Sequence, residues 1–333
     1  MEILAGEIIT NEVNKNANGG SELMTRRIAE SLDKDLLKEF QIISSRVRNL
    51  DESKLRVLIC HDLPGDPESE HLANEGWNRF HRIVFVSNWQ MQGYISRYNI
   101  PWSKCIVMQN AIEPIDFDMT NKARDKIRLA YHTTPHRGLQ ILVPVFQKLA
   151  EEFNDITLDV YSSFKIYGWD QRDEQYASLF DACKDHPQIN YHGFIPNDKL
   201  RVELKNKHIY AYPSIWLETS CISLMEAMSA GMVCVHPNYG ALFETAANWT
   251  HMYQWSDNMN EHANIFYTVL RSAIIDLKGV DVIAYKNKIM TQKSYVDVFY
   301  NWEMRKNQWS ALLSGMLGEP REFPKKMYVY KVQ

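Results

Sequence analysis

The stretch PSIWLETSCISLMEAMSAGMVCVHPNYGALFE, residues 213–244, decides the fold. It opens as a polar loop and passes into SLMEAMSA, where Leu224, Met225, Ala227 and Met228 are strong helix formers; Gly231 stops the helix. Thr219 and Ser220 are a polar pair of the kind that starts helices, and VCVHP after Gly231 reads as a short apolar strand. Loop, helix and strand in this order form one repeat of an α/β protein, in which phosphorylated ligands sit at strand C-terminal ends. Glu218 then stands just before the helix and Glu226 on it. Glu226 lies amid apolar neighbours, where an unpaired charge is costly, so it requires a partner from ligand or protein.

Working outward, apolar runs of strand length recur: LRVLIC (55–60), RIVFVS (82–87), CIVMQN (105–110), IRLAYH (127–132), ITLDVYS (156–162), INYHG (189–193), HIYAYPS (208–214) and MVCVHP (232–237). They are rich in Val, Ile and Tyr without clean alternation, as parallel strands covered on both faces should be. Helical patterns fall at 22–40, 88–97, 139–153, 173–185, 198–205 and 223–230. The polar, Pro-containing NAIEPIDFD (110–118) ends the first strand series and marks a boundary. The expected domains are 1–112, completed by a closing helix at about 300–333, and 113–299.

The chain has 333 residues, 45% hydrophobic and 23% charged, which suits two globular domains. A formal net charge of -4 with no basic block gives no reason to expect nucleic acid. No apolar run reaches membrane-spanning length, and MEILAGEIITNEVNK is too short and acidic for a signal peptide, so a cytoplasmic location is the expectation. LMTRRIAESLDKDLLKEF (23–40) mixes both charges and lacks a basic polar face, which leaves peripheral membrane contact unsupported. The five cysteines are scattered through apolar segments, as buried free thiols in a reducing compartment would be.

With Pro213, Ser214, Glu218, Glu226, Ala227, Met228 and Gly231 in place, the opening stretch resembles the Glu-x7-Glu signature of the retaining glycosyltransferases of family 4, and the likeness extends over most of the chain. The resemblance implies an α/β fold of GT-B type: two Rossmann-like doubly wound parallel-sheet domains facing a central cleft. It implies transfer of a hexose from a UDP- or GDP-sugar to a hydroxyl acceptor with retention of the α configuration. No metal or other cofactor is required, and the acceptor is left open among glycan, lipid, protein and small molecule.

Site residues follow from the same resemblance. Glu226 takes the ribose, Glu218 faces the transferred sugar, and amides of Thr219, Ser220, Cys221 and Ile222 add contacts at the helix start. Asn18-Gly19-Gly20-Ser21-Glu22 as a bare sequence reads first as a helix cap with Ser21 at N-cap, and only its place in the family pattern makes it resemble the Gly-Gly-x-Glu phosphate loop. Arg137-Gly138 occupies the family's Lys-Gly position and suits a diphosphate. The usual second cation falls at His132, where the hydroxyls of Thr133 and Thr134 are the substitutes, with Lys165 as a further cation or an ordinary surface lysine. His61, with Asp62 as its orienter or an acceptor-side group, ends a strand of the first domain, and Phe194 and Ile195 follow the pattern whose backbone reads the nucleobase. Ala111 replaces the usual glycine of the boundary element, while Trp302 and Trp309 are packing residues of the closing helix. Asp116-Phe117-Asp118 is a linker, and Pro135 argues against His132 and His136 sharing a helical face as zinc ligands. Two other functions fit the same fold: a sugar-nucleotide epimerase or hydrolase, and a catalytically silent sugar-nucleotide-binding protein.

Overall fold

The computed structural model describes residues 1–9 and 19–322. Asn18 of the glycine loop and the end of the closing segment, 323–333, lie outside the described residues. The chain divides into two compact units: Met1–Val13, Ser21–Met108 and Lys306–Gln333 form the first, Asn14–Gly20 and Gln109–Arg305 the second.

The first unit opens with the antiparallel strands β1 (Glu2–Leu4) and β2 (Glu7–Ile9). There follow α1 (Gly20–Ser31), α2 (Lys34–Leu37), β3 (Phe40–Ser44), β4 (Leu55–Cys60), β5 (Arg82–Phe85), α3 (Asn88–Tyr98) and β6 (Cys105–Val107). The sheet order is β2-β1-β3-β4-β5-β6, with β3 to β6 parallel and β1 antiparallel to β3. The helix expected over 22–40 is therefore two helices and a strand. Asp33 breaks the pattern by capping α2 through Asp35 and Leu36, and FQIIS, buried at every position, is a strand parallel to β4. Ser21 is not an N-cap: α1 already begins at Gly20, and the Ser21 carbonyl accepts a hydrogen bond from Thr25 Oγ1 at 2.9 Å. Ser87 caps α3, accepting from the Gln90 amide.

In the second unit the elements are β7 (Ile127–Tyr131), α4 (Leu139–Glu152), β8 (Ile156–Val160), α5 (Ala177–Asp185), β9 (Ile189–Tyr191), α6 (Asn197–Leu204), β10 (Ile209–Ala211), α7 (Ile222–Ser229), β11 (Val233–Pro237), α8 (Leu242–Ala246), β12 (His251–Tyr253), α9 (Met259–Gly279) and α10 (Val282–Phe299). All its strands are parallel, in the order β12-β11-β10-β7-β8-β9. Successive crossovers from β7 run outward to one edge, and those from β10 to the other. The two central neighbours therefore release their chains in opposite directions, which opens the topological switch point at their C-terminal ends. Helix α11 (Trp302–Met316) carries the chain from the second unit into the first, where Trp309 is buried.

The segment that enters the second unit is fastened from several sides. The Ile112 amide donates to the Tyr300 carbonyl at 2.6 Å, the Ile115 amide to Ser229 Oγ at 2.9 Å, and Lys293 Nζ to the Ile115 carbonyl at 2.7 Å. Ala111 is buried with an ordinary negative φ, so nothing at that position needs the glycine the family usually has. All five cysteines are free and buried. No described helix is long and apolar enough to cross a membrane.

Candidate functional site

The loop after β7 runs through His132, Thr133 and Thr134 into a short turn, Pro135–Arg137, before α4. Gly138 ends that turn at φ +130, and an added Cβ would lie 2.2 Å from the Pro213 carbonyl oxygen, so only glycine lets this turn press on the segment after β10. The Ile215 amide donates to the Arg137 carbonyl across the same contact. Arg137 is thereby placed beside Glu218, with Nη1 2.5 Å from Oε1, and the Tyr212 hydroxyl donates to that oxygen at 2.5 Å. The turn after β11 closes the other side: Gly240, at φ +62, packs on the Glu218 backbone, and the Ala241 amide donates to its carbonyl at 2.7 Å.

Electrostatically this is a buried pair. Glu218 is only 4% exposed. Burial works against the Arg137 charge, but the Glu218 carboxylate together with Tyr167 and Tyr212 outweighs it and holds the guanidinium well above its ordinary value. The Trp216 ring lies 5.5 Å from the Arg137 guanidinium carbon.

His132 supplies no second positive charge. Its Nε2 donates to the Ser223 carbonyl at 3.0 Å, its ring packs on Tyr210, and burial pushes its pKa down to about 4. Nδ1 is then left as an acceptor. Thr219 and Ser220 do not start α7 as a capping pair: the cap position is Cys221, whose side chain makes no capping bond. Burial pushes the Cys221 thiol up to about 12, and its sulfur lies 3.3 Å from Ser223 Oγ.

Six buried polar atoms without a protein partner gather at the ends of three strands: His132 Nδ1, Thr134 Oγ1, His136 Nδ1 and Arg137 Nε after β7, Ser162 Oγ after β8 and Ser220 Oγ after β10. Buried polar groups are almost always hydrogen-bonded, so their grouping beyond the C-terminal ends of these interior strands marks a place built to receive polar ligand atoms.

Glu226 sits one turn into α7 and is 4% exposed. Asn197 Nδ2 donates to both of its oxygens, at 3.0 and 3.3 Å, and Arg201 Nη1 to Oε1 at 3.2 Å. Burial raises its pKa, and these two donors oppose the shift.

The structure thus brings together Arg137, Thr134, Glu218, Ser220, Cys221 and Ile222, with Thr133 and Thr219 half-buried in the same loops. Gly19 is buried, and a Cβ on Gly20 would come 3.0 Å from Ile222 Cδ1. Lys165 is exposed in the turn after β8, and Phe194 and Ile195 are half-buried in the loop after β9. In the first unit His61 follows β4; its amide donates to Ser45 Oγ at 3.1 Å, and the Asp62 carboxyl also meets Ser45. Burial lowers the His61 pKa to about 4 and raises that of Asp62. Sequence reasoning missed Tyr212, Trp216, Gly240, Asn197 and Arg201. Only the turn signal in NYG, 238–240, pointed toward any of them.

Residues 116–263 match the family model described as "Glycosyl transferases group 1". An uncharacterized glycosyltransferase of Methanocaldococcus jannaschii is 24% identical over 178 residues, 49% of this chain and 44% of that protein. The chain therefore spans less than half the length of this curated relative. Among solved structures, a glycosyltransferase from Rickettsia africae superposes with a TM-score of 0.62 at 14% identity, covering 94% of this chain and 85% of that one. Anabaena HepE in complex with UDP-glucose gives 0.61 at 14%, covering 93% and 85%. The pneumococcal O-GlcNAc transferase GtfA, in complex with UDP and GlcNAc, gives 0.58 at 12%, covering 80% and 54%. The fold is that of the GT-B proteins, two Rossmann-like units with parallel sheets. The family match lies within the second unit, and the likeness to the solved structures shows the fold of the chain.

Proposed function

We propose that the protein is a retaining, metal-independent glycosyltransferase that moves a hexose from a UDP-sugar to a hydroxyl acceptor. The observation that carries this reading is the Arg137–Glu218 pair at the switch point, surrounded by buried polar atoms without partners. UDP is favoured over GDP because HepE and GtfA were each solved with UDP or a UDP-sugar.

In this reading the second unit holds the donor and the first unit the acceptor. Arg137 stabilises the departing diphosphate, helped by the hydroxyls of Thr133 and Thr134, the Gly19-Gly20 loop and the first amides of α7. Because His132 is neutral, Arg137 is the principal cation of that site, with exposed Lys165 a secondary one. Glu218 accepts from hydroxyls of the hexose, Glu226 from the ribose, and the backbone at Phe194 and Ile195 meets the base. In the first unit His61 is the further site residue, with Asp62 as its orienter or an acceptor-side group.

The reaction breaks the bond from the anomeric carbon to the diphosphate oxygen. It forms a bond from that carbon to the acceptor oxygen on the same face, and the leaving phosphate takes the acceptor's proton. A covalent glycosyl-enzyme would refute this same-face route.

The testing experiment is thermal unfolding against UDP, GDP, ADP and their sugar conjugates, with EDTA present. A nucleotide at one hundred times its Kd stabilises the native state by about 2.7 kcal/mol, so UDP should raise the melting point by a few degrees. Arg137→Lys should reduce that rise. No rise with any nucleotide would remove the donor-site assignment, and a requirement for divalent metal would remove metal independence.

A further inference from the structure

Asn197 and Arg201 are four residues apart on α6, so their side chains leave the same face of the helix, and both reach the Glu226 carboxylate on α7. Arg201 does more than pair. While Nη1 donates to Glu226 Oε1 at 3.2 Å, Nη2 donates to the carbonyls of Glu113 at 2.6 Å and Pro114 at 3.1 Å. One planar guanidinium therefore spans the carboxylate and the chain segment that leads into the second unit. Oε1 is occupied by Asn197 and Arg201, whereas Oε2 has only the longer Asn197 contact at 3.3 Å, which leaves Oε2 the more open acceptor.

We propose that Arg201 is a positioning residue for the donor: it holds Glu226 in a fixed orientation as an ionised acceptor for the ribose hydroxyls, and anchors that carboxylate to the Glu113–Pro114 backbone. This rests on the assignment of Glu226 to the ribose under the proposed function.

The charge environment supports it. Arg201 is the charged group that α6 sets against Glu226; farther along the same helix, Glu203 accepts from the Tyr161 hydroxyl. On α10, which packs on α7, Lys293 and Asp297 pair with each other at 2.6 Å beside Ser229. On β10, Tyr210 bonds Ser223. Burial already favours the protonated form of Glu226, so loss of the Arg201 charge drives its pKa further up, and a protonated carboxyl loses acceptor capacity.

The test compares binding of UDP and 2′-deoxy-UDP by calorimetry between pH 5.5 and 8 for the wild type, Glu226→Ala, Arg201→Ala and Arg201→Gln. Hydrogen bonds to charged groups set the scale, so Arg201→Ala is expected to weaken UDP by about tenfold at neutral pH and to erase most of the preference for UDP over its deoxy form. Arg201→Gln keeps a donor without the charge. It should retain the preference at pH 8 and lose it at a higher pH than the wild type does on acidification. A purely structural role would not move that acid limb. If Glu226→Ala loses the preference while both Arg201 variants keep it with a wild-type acid limb, the Arg201 proposal fails and the donor site stands. If the wild type does not bind UDP, or Glu226→Ala binds both nucleotides as the wild type does, the ribose assignment fails and takes this proposal with it. Should Arg201→Ala not fold, the acid limb of Arg201→Gln alone decides.

Discussion

Arg137 and Glu218 form a buried pair, with side chains 20% and 5% exposed, and the Glu218 carboxylate supports the Arg137 charge against the effect of burial. Arg137→Ala leaves a buried carboxylate uncompensated and should cost about 3–5 kcal/mol of stability. Adding Glu218→Gln to that variant should restore most of the stability while turnover stays lost, because the double variant lacks both the charge conflict and the groups that meet the donor. Denaturant unfolding and initial rates of the two single variants and the double variant form the cycle. A double variant that is less stable than Arg137→Ala would show that the pair is not the source of the loss. Both residues were legible in the sequence because each lies in a motif at a strand end. Their partners were not. Asn197 and Arg201 read as ordinary polar positions on a solvated helix, since nothing in a one-dimensional pattern says which face α6 turns toward α7. His132 stood at a position where a cation was expected, and only its burial, which outweighs the opposing bond to the Ser223 carbonyl, shows why it is neutral.

At the level of elements, most of the parallel strands were readable because strands buried on both faces appear as continuous apolar runs, β3 and β12 being the exceptions. The rest escaped for identifiable reasons. Strands β1, β2 and β12 span only three residues each, as do β6, β9 and β10, but lack the longer apolar run around them that made those three readable. Helix α10 exposes Val282, Ile283, Val298 and Phe299, so its apolar residues do not collect into a stripe that marks a helix. The turns that hold the site are the more consequential elements. At Gly240 the backbone is at φ +62, and an added Cβ would come 2.4 Å from the Glu218 carbonyl oxygen, an atom that cannot swing away as a side chain end could. Gly240→Ala should therefore displace Glu218 and lower turnover at least about tenfold, with about 1–3 kcal/mol lost from strain. Gly315→Ala is the matched control: it lies in α11 with nothing within 4 Å of the new Cβ, and should stabilise by about 0.5–1 kcal/mol with turnover unchanged. Equal turnover in the two variants would show that the turn after β11 does not position Glu218.

Across the whole molecule, the buried histidines make stability depend on pH in a direction that can be worked out. His132, His208 and His236 are each at most 6% exposed, and burial holds each near a pKa of about 4 against an ordinary 6.5. Hydrogen bonds fix two of them as neutral rings that both donate and accept. His208 Nδ1 accepts from the Arg128 amide while Nε2 faces the Lys122 carbonyl. His236 Nδ1 donates to the Pro237 carbonyl, and Nε2 accepts from Thr250 Oγ1. Protonation would turn His208 Nδ1 into a donor facing the Arg128 amide and would force the Thr250 hydroxyl to turn and accept from His236 Nε2, while both rings would carry a buried charge. A pKa lowered by folding means that the unfolded chain takes up protons first as the solution is acidified. The contribution of these rings is complete above 6.5 and is lost as pH falls toward about 4. Each ring that charges only on unfolding steepens the loss by about 1.4 kcal/mol per pH unit within that window. Unfolding midpoints in urea should thus be level between pH 7 and 8 and fall steeply from pH 6 to 4.5. Equal midpoints at pH 4.5 and 7.5 would mean that these rings are not held neutral in the native state. Replacing His236 by Gln, which keeps an amide donor and an acceptor but cannot be protonated in this range, should flatten the acid limb by the share of one ring and leave the plateau within about 1 kcal/mol.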